Sequence, residues 1–142
     1  MKIIKITLLN SLIIFLLTVA LFAFSALSFA QDYKVKKVGK TFSHPWGISV
    51  FDKNEVLITE RGGNLFKVNI KNGSRLKISN LPEVFNVRQG GLLDVLVDKK
   101  SVSERKVYIC YSSKVSGGSS TTLMAGTLKG DKLLLKSQPS KW

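Results

Sequence analysis

From residue 31 onward, apolar and polar residues alternate with a period of two, the pattern of β-strands that bury one face. In the segment 65–70, Phe66, Val68 and Ile70 point to one side and polar residues to the other, which predicts a half-buried strand. The Asn72-Gly73 pair that follows is a strong hairpin signal. Four short antiparallel strands joined by tight turns are therefore predicted, at residues 48–51, 55–60, 65–70 and 75–78.

A second set of four strands follows in the same order of strands and turns, with little residue identity to the first. Within it, the Gly-Gly-Ser-Ser run of residues 117–120 is predicted as a flexible loop. Repeated units of four antiparallel strands are typical of propeller blades, and a propeller closes with about 4–8 of them. The pattern predicts an all-β chain with about two blades of a larger ring, and a small β-sandwich is the alternative. The second set of strands is at residues 91–97, 106–112, 121–128 and 132–136.

The first 30 residues differ from the rest of the chain. Lys2 and Lys5 precede the uncharged stretch 6–30, which ends in the small-residue pattern Ser28-Phe29-Ala30. This predicts a signal peptide over residues 1–30, cleaved before Gln31. A retained membrane anchor is the alternative, because the stretch exceeds the ~20 apolar residues that a spanning helix needs. In both cases residues 31–142 are expected outside the cytoplasm, in a periplasmic or secreted protein or on the outer side of a membrane.

The chain has a net charge of +13 and a single cysteine. Its lysines are scattered singly or in pairs and no nucleic-acid motif accompanies them, so no nucleic-acid partner is expected. Lysines on strand edges and loops are the expected arrangement, since they block unwanted strand pairing. The single cysteine, Cys110, can form no intrachain disulfide. It lies in an apolar strand and is predicted to be a buried structural thiol and not a reactive one, because apolar burial raises the pKa of a thiol.

Several short motifs occur in a fixed order between residues 39 and 135, and together they are specific. The sequence resembles the N-terminal part of the glucose/sorbosone dehydrogenase family, the soluble aldose sugar dehydrogenases that use pyrroloquinoline quinone (PQQ). The motifs that carry this resemblance are Ser-His-Pro-Trp-Gly-Ile (43–48), Val-Leu-Ile-Thr-Glu-Arg-Gly-Gly (56–63), Leu-Pro-Glu-Val (81–84), Gln-Gly-Gly-Leu-Leu-Asp-Val (89–95) and Val-Tyr-Ile-Cys-Tyr-Ser (107–112).

The resemblance implies a six-bladed propeller in which PQQ and calcium lie over the central channel and a small sugar is oxidised. It also implies a histidine base in an H-x-G-G-R segment that follows the region matched by this chain. His44 lies in the family's Pro-Trp-Gly segment and is not that base. We therefore expect no catalytic residue and no metal ligand in this chain, and neither PQQ nor calcium bound by it alone. A C-terminal companion polypeptide would supply the missing parts.

Gln89 is the candidate cofactor-binding residue, because the resemblance places it near the cofactor and the sugar. A carboxamide offers both a hydrogen-bond donor and an acceptor. Gly90 and Gly91 would let the backbone approach a flat ring, and Arg88 would either pair with a cofactor carboxylate or be solvated. The alternative for Gln89 is a glutamine that stabilises a turn in a glycine-rich loop.

Five other positions are expected to be structural. Glu60 and Arg61 are predicted to form an ion pair that flanks a turn. Asp94 is expected to cap the loop of a neighbouring blade, because a carboxylate in an apolar strand needs hydrogen bonds. His44 is expected in the extended conformation that precedes proline, and Trp46 in the core or between blades. A non-enzymatic remnant or binding module, or a membrane-anchored β-protein, are the alternative functions.

Overall fold

The computed structural model describes residues 12–20, 33–100, 105–136 and 140–141. These residues fall into two compact units, one that ends at Lys36 and one that begins at Lys37. In the first unit residues 12–20 form a helix, and most of the predicted signal peptide, including Ala30, lies outside the described residues. Within the described ranges, no helix has the length and apolar character that crossing a membrane requires.

The second unit contains two antiparallel sheets. The first sheet consists of β1 (Pro45–Val50), β2 (Glu55–Glu60), β3 (Asn64–Asn69) and β4 (Arg75–Ile78), and the second of β5 (Leu92–Val97), β6 (Lys106–Val115), β7 (Gly118–Lys129), β8 (Lys132–Leu135) and β9 (Ser140–Lys141). In the first sheet each strand pairs with the next along the chain, and the strands of the second sheet follow the same order up to β8. The short last strand, β9, pairs with the part of β7 that β8 leaves open. Both predicted sets of strands are confirmed.

The hairpin between β6 and β7 differs from the prediction. Val115 pairs with Gly118, so residues 118–120 belong to β7 and not to a flexible loop. Gly117, the second residue of this two-residue turn, has a φ of +79°, a conformation that glycine adopts without steric cost. The tight turn lets the strands run on, and β6 and β7 become the longest strands of the described residues.

The turn at Asn72-Gly73 is present, but it closes a longer loop than a two-residue hairpin. Gly73 donates its N–H to the Asn69 carbonyl at 2.8 Å, and the Asn69 N–H bonds the Ser74 carbonyl at 2.8 Å. Residues 70–73 therefore form the loop. Ile70 lies in this loop with 43% of its surface exposed, and it does not continue the apolar row of β3.

The core lies between the two sheets, on the face of each that we call the inner face. Alternation in β3 is confirmed, but Leu65 belongs to the inner face, while Phe66 lies on the opposite, outer face with Ile58. Phe66 packs edge-on against Phe42, with 5.9 Å between the ring centroids. The core side chains are Leu57, Leu65 and Ile78 from the first sheet and Leu92, Val95, Val97, Val107, Ile109, Tyr111, Leu128 and Leu133 from the second.

The outer faces of both sheets carry exposed apolar side chains. On the first sheet Trp46 is 53% exposed and Ile48 67%, so Trp46 does not enter the core between the described sheets as one of the two predictions had it. On the second sheet Leu96 is 61% exposed. Together with Tyr108, Cys110, Leu123 and Asp94 it lines an open groove of about 330 Å³.

Hydrogen bonds tie the two sheets together along both margins. At the margin of the first strands, Ser49 of β1 accepts the Val97 N–H of β5 at 3.0 Å. At the margin of the last strands, Ser79 donates its N–H to the Asp131 carbonyl at 2.7 Å and accepts the Leu133 N–H at 3.1 Å. Asn80 adds a bond from its side chain to the Leu133 carbonyl at 2.6 Å.

Candidate functional site

The candidate site is built around the segment 79–91, which leads from the first sheet into the second. Its end is fixed by backbone hydrogen bonds to both sheets. Phe85 donates to the Ser112 carbonyl at 2.7 Å, and Ser112 donates back to the Gly91 carbonyl at 2.8 Å. At the start of β5, Leu92 donates to the Arg61 carbonyl at 2.9 Å. Residues 88–91, which we call the Gln89 loop, therefore lie between β6 and the end of β2.

Gln89 lies exposed in this loop. A backbone bond from Gly90 N–H to the Val87 carbonyl, 2.8 Å long, closes the turn, and Arg88 adopts a positive φ of +55° within it. The carboxamide of Gln89 bonds no residue that the structure describes, so the backbone holds the turn without help from this side chain. A free carboxamide in a fixed loop can both donate to and accept from a polar ligand.

The two glycines of the loop serve its own packing. A Cβ on Gly90 would lie 2.5 Å from the Phe85 carbonyl oxygen, and one on Gly91 would lie 2.2 Å from the Arg61 carbonyl oxygen. Gly91 also has a φ of +143°. The absence of a side chain is thus required by neighbouring backbone within the protein, whereas the sequence suggested an approach to a flat ligand.

The predicted ion pair between Glu60 and Arg61 does not form. The Glu60 carboxylate, 7% exposed, accepts the Ser43 N–H at 2.8 Å and the Asn64 side-chain amide at 2.8 Å. Burial acts to raise the pKa of Glu60, but these two hydrogen bonds, helped by the charges of Arg75 and Lys77, outweigh it and lower the pKa. Successive side chains along a strand point to opposite sides, which separates the two groups.

Arg61 bonds the Gln89 loop. Its Nη1 donates to the Arg88 carbonyl at 3.1 Å, across 27 positions of sequence. Its Nε is buried and has no hydrogen-bond partner among the described residues. Sequence reasoning missed this role, because nothing in the local pattern at Arg61 points to residue 88.

His44 has a φ of +49°, so the prediction of an extended conformation before Pro45 was wrong. The cause is local pairing, since the His44 carbonyl accepts the Arg61 N–H at 3.0 Å where the chain enters β1. The His44 ring is exposed, and its Nδ1 lies 3.3 Å from the Ser43 hydroxyl.

Among the described residues Asp94 bonds no loop of the neighbouring sheet, so the expected cap does not form between these two blades. The pairing of β5 with β6 shifts register between Leu92 and Val95, and this bulge turns the Asp94 side chain to solvent. Its Oδ1 accepts the N–H of the adjacent Val95 at 2.8 Å. The carboxylate is satisfied by its own strand.

Thr59, which the sequence did not single out, links the first strands of the two sheets. It is fully buried. Its hydroxyl accepts the Gly47 N–H at 2.8 Å and donates to the Leu93 carbonyl at 2.6 Å. Both partners lie in bulges, of β1 and of β5, where register shifts expose backbone groups to a side chain.

Comparison with known proteins identifies this arrangement. A family model described as Glucose / Sorbosone dehydrogenase matches residues 42–140. The chain belongs to the glucose/sorbosone dehydrogenase family. The resemblance seen in the sequence motifs is thereby confirmed.

Three relatives illustrate the match. The aldose sugar dehydrogenase YliI of Escherichia coli (strain K12) is 33% identical over 90 residues, which is 62% of this chain and 24% of that protein. A solved glucose dehydrogenase superposes with a TM-score of 0.68 at 28% identity, covering 73% of this chain and 34% of that chain. The PQQ-bound form of an aldose sugar dehydrogenase from Streptomyces coelicolor gives a TM-score of 0.65 at 19% identity, covering 77% of this chain and 32% of that chain. At this identity the likeness establishes a shared fold only.

These neighbours are PQQ β-propeller enzymes, so the two sheets of the family member described here are two blades of a propeller, and the fold prediction is confirmed. The chain spans about a quarter of the length of the curated relative and a third of the solved ones.

The described residues of this family member fit the two groups that the family implies to different degrees. They contain no cluster of three or more histidine, cysteine, aspartate or glutamate side chains that could hold a metal ion. Calcium requires about 6–8 oxygen ligands, so these residues do not form a calcium site. The unbonded carboxamide of Gln89 does suit the polar edge of a quinone or a sugar hydroxyl.

Proposed function

We propose that this chain supplies the first two blades of an exported, PQQ-dependent aldose sugar dehydrogenase and that Gln89 contacts the cofactor and the sugar. The observation that carries the proposal is the exposed, unbonded carboxamide of Gln89 in a loop fixed to both sheets. The E. coli relative is named an aldose sugar dehydrogenase, and the S. coelicolor neighbour was solved with PQQ.

In this function PQQ, when bound, supplies the two-electron acceptor for oxidation of the aldose at C1. The contribution of this chain is orientation. The Gln89 carboxamide is neutral, so it donates to one oxygen and accepts from a hydroxyl without competing for the proton that a base must remove. Calcium ligands and the base come from the remaining blades of the propeller, because two sheets do not surround a channel.

A complementation experiment tests the activity. The full chain is co-exported with the E. coli aldose sugar dehydrogenase that lacks the matching N-terminal quarter, in the presence of PQQ and calcium, and aldose-dependent dye reduction is measured. We expect activity from the complex, which we call the complemented enzyme, and none from either part alone. Activity of this chain alone would contradict the assignment of base and metal ligands to the partner, and an inactive but assembled complex would favour the non-enzymatic module.

The role of Gln89 has its own variant and control. Gln89→Ala is expected to lower kcat/KM of the complemented enzyme about 10²-fold, the size of effect seen when one positioned hydrogen-bond group is removed from an active site. Asn86→Ala removes another exposed carboxamide from the same segment and is expected to leave the rate unchanged. Equal kcat/KM values for the two variants would show that Gln89 does not contact the cofactor or the sugar.

The N-terminal segment supports the proposed export. Its pattern of two lysines, an uncharged stretch and Ser28-Phe29-Ala30 fits a cleaved signal. Mass spectrometry of the protein from the periplasm should give a mature chain that begins at Gln31. A chain that keeps residues 1–30 and sediments with membranes would instead support the anchor.

A further inference from the structure

Arg61 is positioned to control the Gln89 loop through its backbone and its side chain together. Its N–H bonds the His44 carbonyl at 3.0 Å, and its carbonyl accepts the Leu92 N–H at 2.9 Å. The residue thus connects the entrance of β1, the end of β2 and the start of β5. Its backbone is a fixed point beside the loop.

The side chain of Arg61 runs along the loop from this fixed point. A Cβ added to Gly91 would lie 2.6 Å from Arg61 Cγ, which shows how closely the aliphatic part of the side chain packs against the glycine. At its far end Nη1 reaches the Arg88 carbonyl at 3.1 Å. The buried Nε has no partner among the described residues, so within them Nη1 is the group that fixes the guanidinium to the loop.

The bond to the Arg88 carbonyl helps to set the direction in which Gln89 extends. That carbonyl and the Gln89 N–H belong to one planar peptide unit, so holding the oxygen holds the plane from which Gln89 extends. Arg88 needs this support, because its φ of +55° is unfavourable for a residue with a side chain. The Gln89 carboxamide has no bond to a described residue that would orient it in another way.

We infer that Arg61 is a positioning residue for Gln89, an inference that rests on the proposed function. A guanidinium suits this task because its rigid fork fixes the direction of the bond it makes, whereas a lysine ammonium at the end of a flexible stem does not. Loss of the fork leaves the Gln89 loop attached at Gly91 and Phe85. The peptide between residues 88 and 89 is then held by the bond from the Gly90 N–H to the Val87 carbonyl, without support from Arg61.

The first measurement uses the full chain and does not depend on activity. Amide hydrogen exchange is followed by NMR in Arg61→Ala, Arg61→Lys and the matched control Arg75→Ala, whose Nη1 bonds the Thr41 carbonyl at 3.3 Å elsewhere in the chain. We expect exchange at the Gly90 amide, whose N–H is bonded to the Val87 carbonyl, to rise at least about tenfold in both Arg61 variants, with Ile109 unchanged. Methylguanidinium should slow it again in Arg61→Ala only. Unchanged exchange at the Gly90 amide in Arg61→Ala would overturn the inference.

The second measurement is a double-mutant cycle in the complemented enzyme. If Arg61 acts through Gln89, the Arg61→Ala variant lowers kcat more than it raises KM, and adding Arg61→Ala to Gln89→Ala lowers the rate no further. Additive losses would show a general structural role and overturn the inference. If Gln89→Ala alone has no effect on an active complex, the proposed role of Gln89 fails, and the positioning role of Arg61 fails with it. Raised exchange in the Arg61 variants would in that case still show that Arg61 holds the loop, so the error would lie in the function proposed for Gln89.

Discussion

Two neighbouring side chains at the end of β2, Thr59 and Glu60, are both polar and both buried. Each satisfies backbone groups that no strand partner reaches. Thr59 serves Gly47 and Leu93, and Glu60 serves the N–H of Ser43. Buried polar groups of this kind stabilise only while every partner is present, since an unpaired backbone group in the interior is costly.

Replacement of Thr59 by valine tests this at constant shape. The variant leaves the Gly47 N–H and the Leu93 carbonyl without the hydroxyl, so we expect the free energy of unfolding to fall by about 1–3 kcal/mol. Urea denaturation measures it. The control Thr121→Val changes an exposed threonine and should stay within about 0.5 kcal/mol of the parent. Equal midpoints for the two variants would contradict the linking role of Thr59.

Glu60 makes the stability of the folded protein depend on pH. Its pKa in the folded protein lies below its ordinary value of 4.5, so the stabilisation is complete at higher pH and is lost as pH falls through the folded pKa. Glu60→Gln keeps the shape and removes the charge, and it should cost about 1–2 kcal/mol at pH 7. The difference between parent and variant should shrink below pH 4.5 in denaturation curves taken over a pH series. A difference that is constant down to pH 3 would show that the charge contributes nothing.

At the scale of elements, the Gln89 loop and the β6–β7 turn both depend on a glycine with positive φ, but for different reasons. Gly91 has a φ of +143° and touches backbone, while Gly117 has a φ of +79° and no atom near its missing Cβ. The first position is constrained by conformation and by space, the second by conformation alone.

An alanine at each position separates the two constraints. Gly117→Ala should cost about 1 kcal/mol in the free energy of unfolding, the price of a strained backbone. Gly91→Ala must also displace the Arg61 carbonyl, and a cost of about 3 kcal/mol or more is expected. Thermal or urea unfolding of the two variants measures the order, and a smaller cost at Gly91 would show that the loop can move away from β2 freely.

Strands could be predicted from the sequence where the local pattern of apolar and polar residues is enough to define them. The sequence did not show which face of a strand is buried, or where pairing with a distant strand extends it. Alternation in β3 gave the strand and its two faces, but it carries no information on which face meets the second sheet, so Leu65 and not Phe66 is in the core. The Gly-Gly-Ser-Ser run reads as a loop on composition. Its first glycine makes so tight a turn that residues 118–120 pair as strand.

The candidate site was predictable to a smaller extent. Gln89 was found through the family resemblance, because an exposed glutamine in a glycine-rich loop has no distinguishing pattern of its own. Arg61 was predicted to pair with its neighbour Glu60, because its actual partner, the Arg88 carbonyl, lies 27 residues further along the chain. The bulge that turns Asp94 to solvent depends on pairing with β6, which local sequence does not encode.

At the scale of the whole molecule, both outer faces of the two-blade unit carry apolar side chains that the described residues leave exposed. Faces of this kind are typical of surfaces that bind another protein. Under the proposed function, the groove beside Leu96 and Cys110 receives the next blade. Cys110, the single cysteine of the sequence, reports on this contact directly.

Maleimide labelling of Cys110 follows the assembly. Burial and, to a lesser degree, the charge of Asp94 raise the pKa of the thiol above its ordinary 9.0, so labelling of the chain alone should be slow at pH 7 and accelerate with rising pH. In the complemented enzyme the rate should fall at least about tenfold further as the face is covered. A variant with Cys110→Ser and Ser119→Cys, at the exposed end of β7, should label equally in both states. Unchanged labelling of Cys110 on assembly would place the partner elsewhere.

The hydrogen bonds along both margins of the sheets, at Ser49 on one side and at Ser79 and Asn80 on the other, also bear on the geometry of the complete ring. Two sheets that are hydrogen-bonded to each other at both margins have little freedom to change the angle between them. The angle between successive blades decides how many blades close a propeller ring. Under the proposed function, the remaining blades of the ring must therefore match the angle that these two margins set.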